Sequence, residues 1–151
     1  MTEASRVKTI QEYSVAGLLV RLPLGLLFFF AGLNKFLGGY GNFVRWIVSD
    51  MGEKTWLPDA MLYPYGYALP FLELALGALL ILGLFTRPAL MATGFLLLSL
   101  MFGKILAQDH ATVATIANYC LIAAVAYYFS RFNLFSFDAL LSRARSTKEK
   151  V

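Results

Sequence analysis

Four apolar runs constrain this chain more than any other feature. They lie at about 14–37, 66–85, 88–107 and 111–129. Each approaches or exceeds the roughly 20 apolar residues that a helix needs to cross the hydrocarbon core of a bilayer. Backbone groups in lipid must be satisfied internally, so such runs become helices. The composition agrees. The chain is 59% hydrophobic and only 15% charged, against about 25% charged in a soluble domain. Its mean hydropathy is +0.66. A lipid bilayer is therefore the expected solvent.

The connections favour antiparallel packing. Thr86 and Arg87 read as a short turn, with Pro88 opening the next helix where its missing N–H costs little. Gln108, Asp109 and His110 read as a second turn. The link at 38–65 is longer. It begins "GGYG", a helix stop, and continues "NFVRWIVSDM". Helical spacing there puts Phe43, Trp46 and Ile47 on one side and lets Arg45 snorkel. With Trp56, Tyr63, Tyr65 and Tyr67 nearby, this link reads as an interfacial cap. The tail from Arg131 begins amphipathic and ends basic. The expected fold is all-α: one domain over residues 1–151, an integral membrane antiparallel four-helix bundle with an interfacial loop or helix between helices 1 and 2 and an amphipathic C-terminal tail. The first run is not read as a cleavable signal peptide, because it exceeds a normal apolar signal core and no small-x-small site follows it.

Basic residues predict orientation. Arg6 and Lys8, then Arg87, then Arg131, Arg143, Arg145, Lys148 and Lys150 fall on one side of four spans. Arg45 and Lys54 fall on the other, offset by Asp50, Glu53 and Asp59. Both termini are expected in the cytoplasm. The net charge of +4 comes from chain ends and helix ends, which excludes a nucleic-acid face.

Polar residues inside the spans are candidates for function, because an ionised side chain in lipid costs at least about 2.5–3.5 kcal/mol. Counted along their helices, Lys35, Glu73, Lys104 and Asn118 reach a similar depth in the outer part of the membrane. Asn34 adjoins Lys35. On the first helix Arg21, Gly25, Phe28, Gly32 and Lys35 share one stripe. On the second, Pro70, Glu73, Gly77 and Leu84 do, and on the third Thr93, Leu97, Lys104 and Gln108. The small residues there suit close membrane packing, so these stripes should face inward. Asn34, Lys35, Glu73, Lys104 and Asn118 form the candidate ligand-binding set. Two lysines against one glutamate leave a surplus positive charge, suited to a small anion or to quinone carbonyls. Independent snorkelling of the lysines is the plainer alternative. Arg21, near Pro23, reads as structural, as does Arg87. His110 reads as a turn residue and Cys120 as a packing residue. With one Cys and one His, the chain can form neither a CxxC pair nor bis-His haem ligation, and no metal site or covalently bound cofactor is expected.

"RLPLGLLFFFAGLNKF" (21–36) and "PFLELALGALLILGLFTRPAL" (70–90) resemble the DoxX family of small four-helix membrane proteins. The first stretch is similar to that family's R-x3-G-x6-G-x2-K pattern. The second is similar to its Glu in a Gly-rich span followed by a Thr-Arg turn. The resemblance makes Arg21, Lys35, Glu73 and Arg87 family positions. It implies a prokaryotic cytoplasmic membrane, quinone-linked redox chemistry and partner subunits, since that family includes subunits of thiosulfate:quinone oxidoreductases. Three functions follow as expectations. The first is a non-catalytic or quinone-contacting subunit of a larger membrane oxidoreductase. The second is a small channel or carrier for a sulfur oxyanion. The third is a purely structural bundle within a membrane complex.

Overall fold

The structure is a computed structural model that describes residues 3–132 together with Ser136 and Asp138, with side chains from Lys8 onward. Five α-helices follow one another: α1 (Glu3–Leu37), α2 (Tyr40–Lys54), α3 (Asp59–Leu82), α4 (Thr86–Leu106) and α5 (His110–Phe129), with a 3-10 turn at Ser130–Phe132. No strand occurs among the described residues. Four segments are long and apolar enough to cross a membrane: Lys8–Leu37, Asp59–Leu82, Thr86–Leu106 and His110–Phe132. The chain is a helical membrane protein.

The four long helices form a closed antiparallel ring, each packing on its chain neighbour and α5 returning to α1. The α1–α3 interface is the most extensive. Glycine explains why. A Cβ on Gly77 would lie 2.3 Å from the Phe29 nitrogen, and one on Gly32 would lie 2.7 Å from the Leu74 nitrogen. The two backbones therefore touch directly, as membrane helices do when small residues line the contact. The buried stripe of α1 runs through Arg21, Leu24, Gly25, Phe28 and Gly32, and that of α3 through Pro70, Glu73, Gly77 and Leu80. The inward stripes expected on α1 and α3 are present through these residues, as are Thr93 and Leu97 on α4, but Leu84 falls in the turn after α3 and Gln108 is exposed beyond the end of α4.

The turns have local causes. Gly39 takes φ +96°, which lets the chain reverse from α1 into α2. Gly83, at φ +68°, ends α3, its N–H donating to the Leu79 carbonyl. The Asp109 carboxylate accepts from the Thr112 N–H and hydroxyl and so opens α5. Asp138 does the same for α4 from far along the chain, accepting from the N–H groups of Phe85 and Thr86, each at 2.9 Å. Burial alone would raise the Asp138 carboxyl, but these donors, the Thr86 hydroxyl and the nearby Arg21 charge hold it below the ordinary carboxylate range. Arg21 is itself 3% exposed. A Cβ on Gly83 would meet its guanidinium at 2.7 Å, so Arg21 is locked into the end of the bundle that carries the chain's start.

Several expectations need correction. α1 begins at Glu3 rather than near residue 14, and helix continues through Pro23. α3 begins at Asp59, seven residues before the expected start at 66, because Pro58 occupies its N-cap position and Asp59 its first turn. The link at 38–65 is thus mostly helix. Thr86 and Arg87 belong to α4, and the turn before them is Gly83–Leu84–Phe85. On α2 the buried residues are Val44, Ile47, Val48 and Met51. Trp46, expected to share the face of Ile47, is exposed. The face is chosen by a hole in α3: a Cβ on Gly66 would lie 2.8 Å from Ile47 Cγ2. Most of the expected amphipathic tail lies outside the described residues.

Candidate functional site

The end of the bundle away from the chain's start carries most of the polar residues singled out in the sequence. Lys35 lies in the last turn of α1. Glu73 lies on the buried face of α3, directly across the glycine contact. Their side chains form an ion pair, Lys35 Nζ donating to Glu73 Oε2. The Glu73 side chain is 6% exposed and that of Lys35 21%. Lys35 also stands 5.1 Å from the centre of the Phe43 ring on α2, within the range of a cation–π contact. One ammonium therefore ties together α1, α3 and α2.

Lys104 has a different partner. In the last turn of α4 it lies 3.2 Å from Asp109 Oδ2. The Thr112 hydroxyl and N–H, with Lys104, hold the Asp109 carboxyl below its ordinary range, so it is charged at neutral pH. The surplus positive charge expected from two lysines and one glutamate is consequently absent, since each lysine has its own carboxylate. Asp109 is the residue missed in the sequence. The signal was available: an Asp three residues before Thr112 is a helix N-cap pattern, and that cap sits five residues after Lys104.

Between these two pairs lies a cavity of about 510 Å³, within the size range of small-molecule sites. All five helices contribute to its wall. Ile47 and Met51 of α2 close it on one side, Leu62 and Leu69 of α3 and Leu100 of α4 line it, and Ile116 of α5 completes it. Lys35 and Lys104 are the charged residues at its edges. Tyr65 and Ser99 share a hydrogen bond of 3.0 Å across the α3–α4 wall. The lining residues Trp46, Met61 and Phe102 are exposed, so the cavity opens on their side.

The remaining members of the expected set stand elsewhere. Asn34 is exposed, beside a shallow groove between α1 and α2 that also touches Lys35 and Trp46. Asn118 is exposed on α5 and lines none of these cavities. Arg21 is at the far end of the bundle, and Arg87 is exposed in the first turn of α4. Of the five residues grouped in the sequence, the structure joins Lys35 to Glu73 and brings Lys104 to the same cavity. It does not bring Asn34 or Asn118 there.

A helical membrane bundle with a lidded apolar cavity and two internally neutralised lysines is the class defined by these features. The family model of the methylamine utilisation protein MauE matches residues 13–115, and the chain belongs to that family. This overturns the resemblance to DoxX. The physical reason is visible in the α1–α3 interface. The glycines at 25, 32 and 77 are where two helices touch, and any closely packed pair of membrane helices selects such spacing. No curated protein and no solved structure matches the chain.

The pairing of Lys35 with Glu73 makes a specific prediction. Removing one partner of a buried pair costs about 3–5 kcal/mol, whereas replacing both with apolar residues can be nearly neutral. Lys35→Met and Glu73→Leu should each lower the thermal midpoint in detergent, and the double variant should lose less than the sum. Additive losses would show that the two charges act independently.

Proposed function

We propose that this chain is a non-catalytic membrane subunit of a redox assembly, and that its cavity holds the ring of a membrane quinone. The observation that carries this reading is the cavity itself: an apolar chamber with an ammonium group at either edge, each already balanced by a carboxylate. A lysine has three N–H donors, so Lys35 and Lys104 retain capacity to donate to a neutral acceptor. A quinone carbonyl is such an acceptor, and its ring and tail suit the apolar wall. An extra anion fits less well, because Asp109 cancels the charge that would attract it. The family's description, methylamine utilisation, supports a place beside the proteins that carry out that process.

Trp46 lines the cavity and can report on binding. In a Trp56→Phe background, a short-chain benzoquinone should quench Trp46 saturably, and a non-quenching analogue should reverse the effect. Lys104→Met should weaken binding roughly ten-fold or more, the worth of a hydrogen bond from a charged donor. Quenching that never saturates, or binding unchanged by Lys104→Met, would rule out this occupant.

The same reading places both termini on the cytoplasmic side of a prokaryotic inner membrane, with α2 on the outer face. It is supported by Arg87 and Arg131 lying at one end of the bundle and Asp50, Glu53 and Asp59 at the other. With Cys120 replaced by serine, a cysteine at position 54 should react with an impermeant maleimide in whole cells. Protection of that cysteine until the cells are lysed would reverse the orientation.

A further inference from the structure

Asn118 is the polar residue that the proposed site does not use. It lies eight residues after His110, the first residue of α5, or about 12 Å along the helix at 1.5 Å per residue. That depth is well inside a hydrocarbon layer about 30 Å thick. The Asn118 side chain is short and cannot reach the interface as a lysine can. It faces away from the bundle, and among the described residues no side-chain hydrogen bond satisfies it. An amide left unmet in hydrocarbon is costly.

Its neighbours on the helix surface are ordered. Ala111, Ala114, Asn118, Leu121, Val125 and Tyr128 follow one another at steps of three and four residues, and all six are exposed. This is a heptad seam running most of the length of α5. The opposite face of the same helix, through Ile116, Ala123 and Ala126, is buried against the bundle. The chain therefore covers one face of α5 and leaves the face through Asn118 open, together with Ala117, Ala124 and Tyr127 beside it.

We infer that the seam is covered by α5 of a second copy of this chain, with the two Asn118 amides hydrogen-bonded to each other. Copies of one protein insert in the membrane with the same orientation. Their α5 helices are then parallel across a two-fold axis normal to the membrane, and Asn118 meets Asn118 at the same depth. An amide carries both donors and an acceptor, so it is complementary to itself. The alanines at 111 and 114 allow the helices to approach, while Leu121 and Tyr128, 64% and 62% exposed, gain contact area. A single asparagine in an apolar seam also sets register and favours a defined oligomer.

Energy transfer between labelled copies in liposomes, measured across protein-to-lipid ratios, tests this inference. The wild-type chain should associate as a dimer. Asn118→Leu adds no polar burden to the fold and should weaken association about 3- to 18-fold, the range for hydrogen bonds between membrane helices. Asn118→Gln should retain most of it. Leu121→Cys, in a Cys120→Ser background, should cross-link to its own copy. A wild-type chain that stays monomeric at every ratio would overturn the inference. So would an Asn118→Leu dimer as tight as wild type, or cross-linking of position 121 exclusively to a different chain.

Discussion

The direct contact of the α1 and α3 backbones at Gly77 and Gly32 is the constraint on which the rest of the structure depends. It sets the spacing of the two helices, and the spacing fixes which side chains meet at their far end. Lys35 and Glu73 meet there because they continue the same stripes beyond the glycines. Bulk at either glycine would push the helices apart and separate the charges. Lys35 in turn reaches the Phe43 ring, so the placement of α2 is tied to the same contact. Gly66 then receives Ile47 and seats α2 on α3. Close packing, charge pairing and the wall of the cavity are successive consequences of three small residues.

Charge balance shapes the chemistry open to the cavity. A lysine in a membrane protein normally escapes to the interface or finds a partner. Both lysines at this cavity have partners, one from across the bundle and one from the neighbouring turn. A site built in this way has donors without net charge. The carboxylates of Glu73 and Asp109 remove the electrostatic pull that unpaired lysines would exert on a free anion.

Legibility in the sequence followed the strength of each physical signal. The four spans were legible because long apolar runs have few alternatives in lipid. The Lys35–Glu73 meeting was legible because both residues extend stripes marked by glycine. The buried face of α2 was not, since Val44, Ile47 and Val48 compete with Phe43 and Trp46, and the hole at Gly66 that decides between them is a tertiary feature. The face of Asn118 was not legible either. α5 is apolar nearly all round, so its periodicity carries no direction, and depth alone suggested an inward position. Asp109 reads as a plain turn residue because it lies in a short polar link between two apolar runs, and its approach to Lys104 is set only when α4 and α5 fold together. The family resemblance went wrong because glycine spacing records helix contact more than ancestry.

Lys35 and Glu73 form a charged pair inside the bundle. Infrared spectroscopy of the protein in lipid, compared with Glu73→Gln, reads the protonation state of that carboxyl directly. At neutral pH the difference spectrum should contain a carboxylate band assignable to Glu73, and Lys35→Met should replace it with the carbonyl band of a protonated acid. A protonated Glu73 in the unmodified protein, unchanged when Lys35 is replaced, would contradict the account.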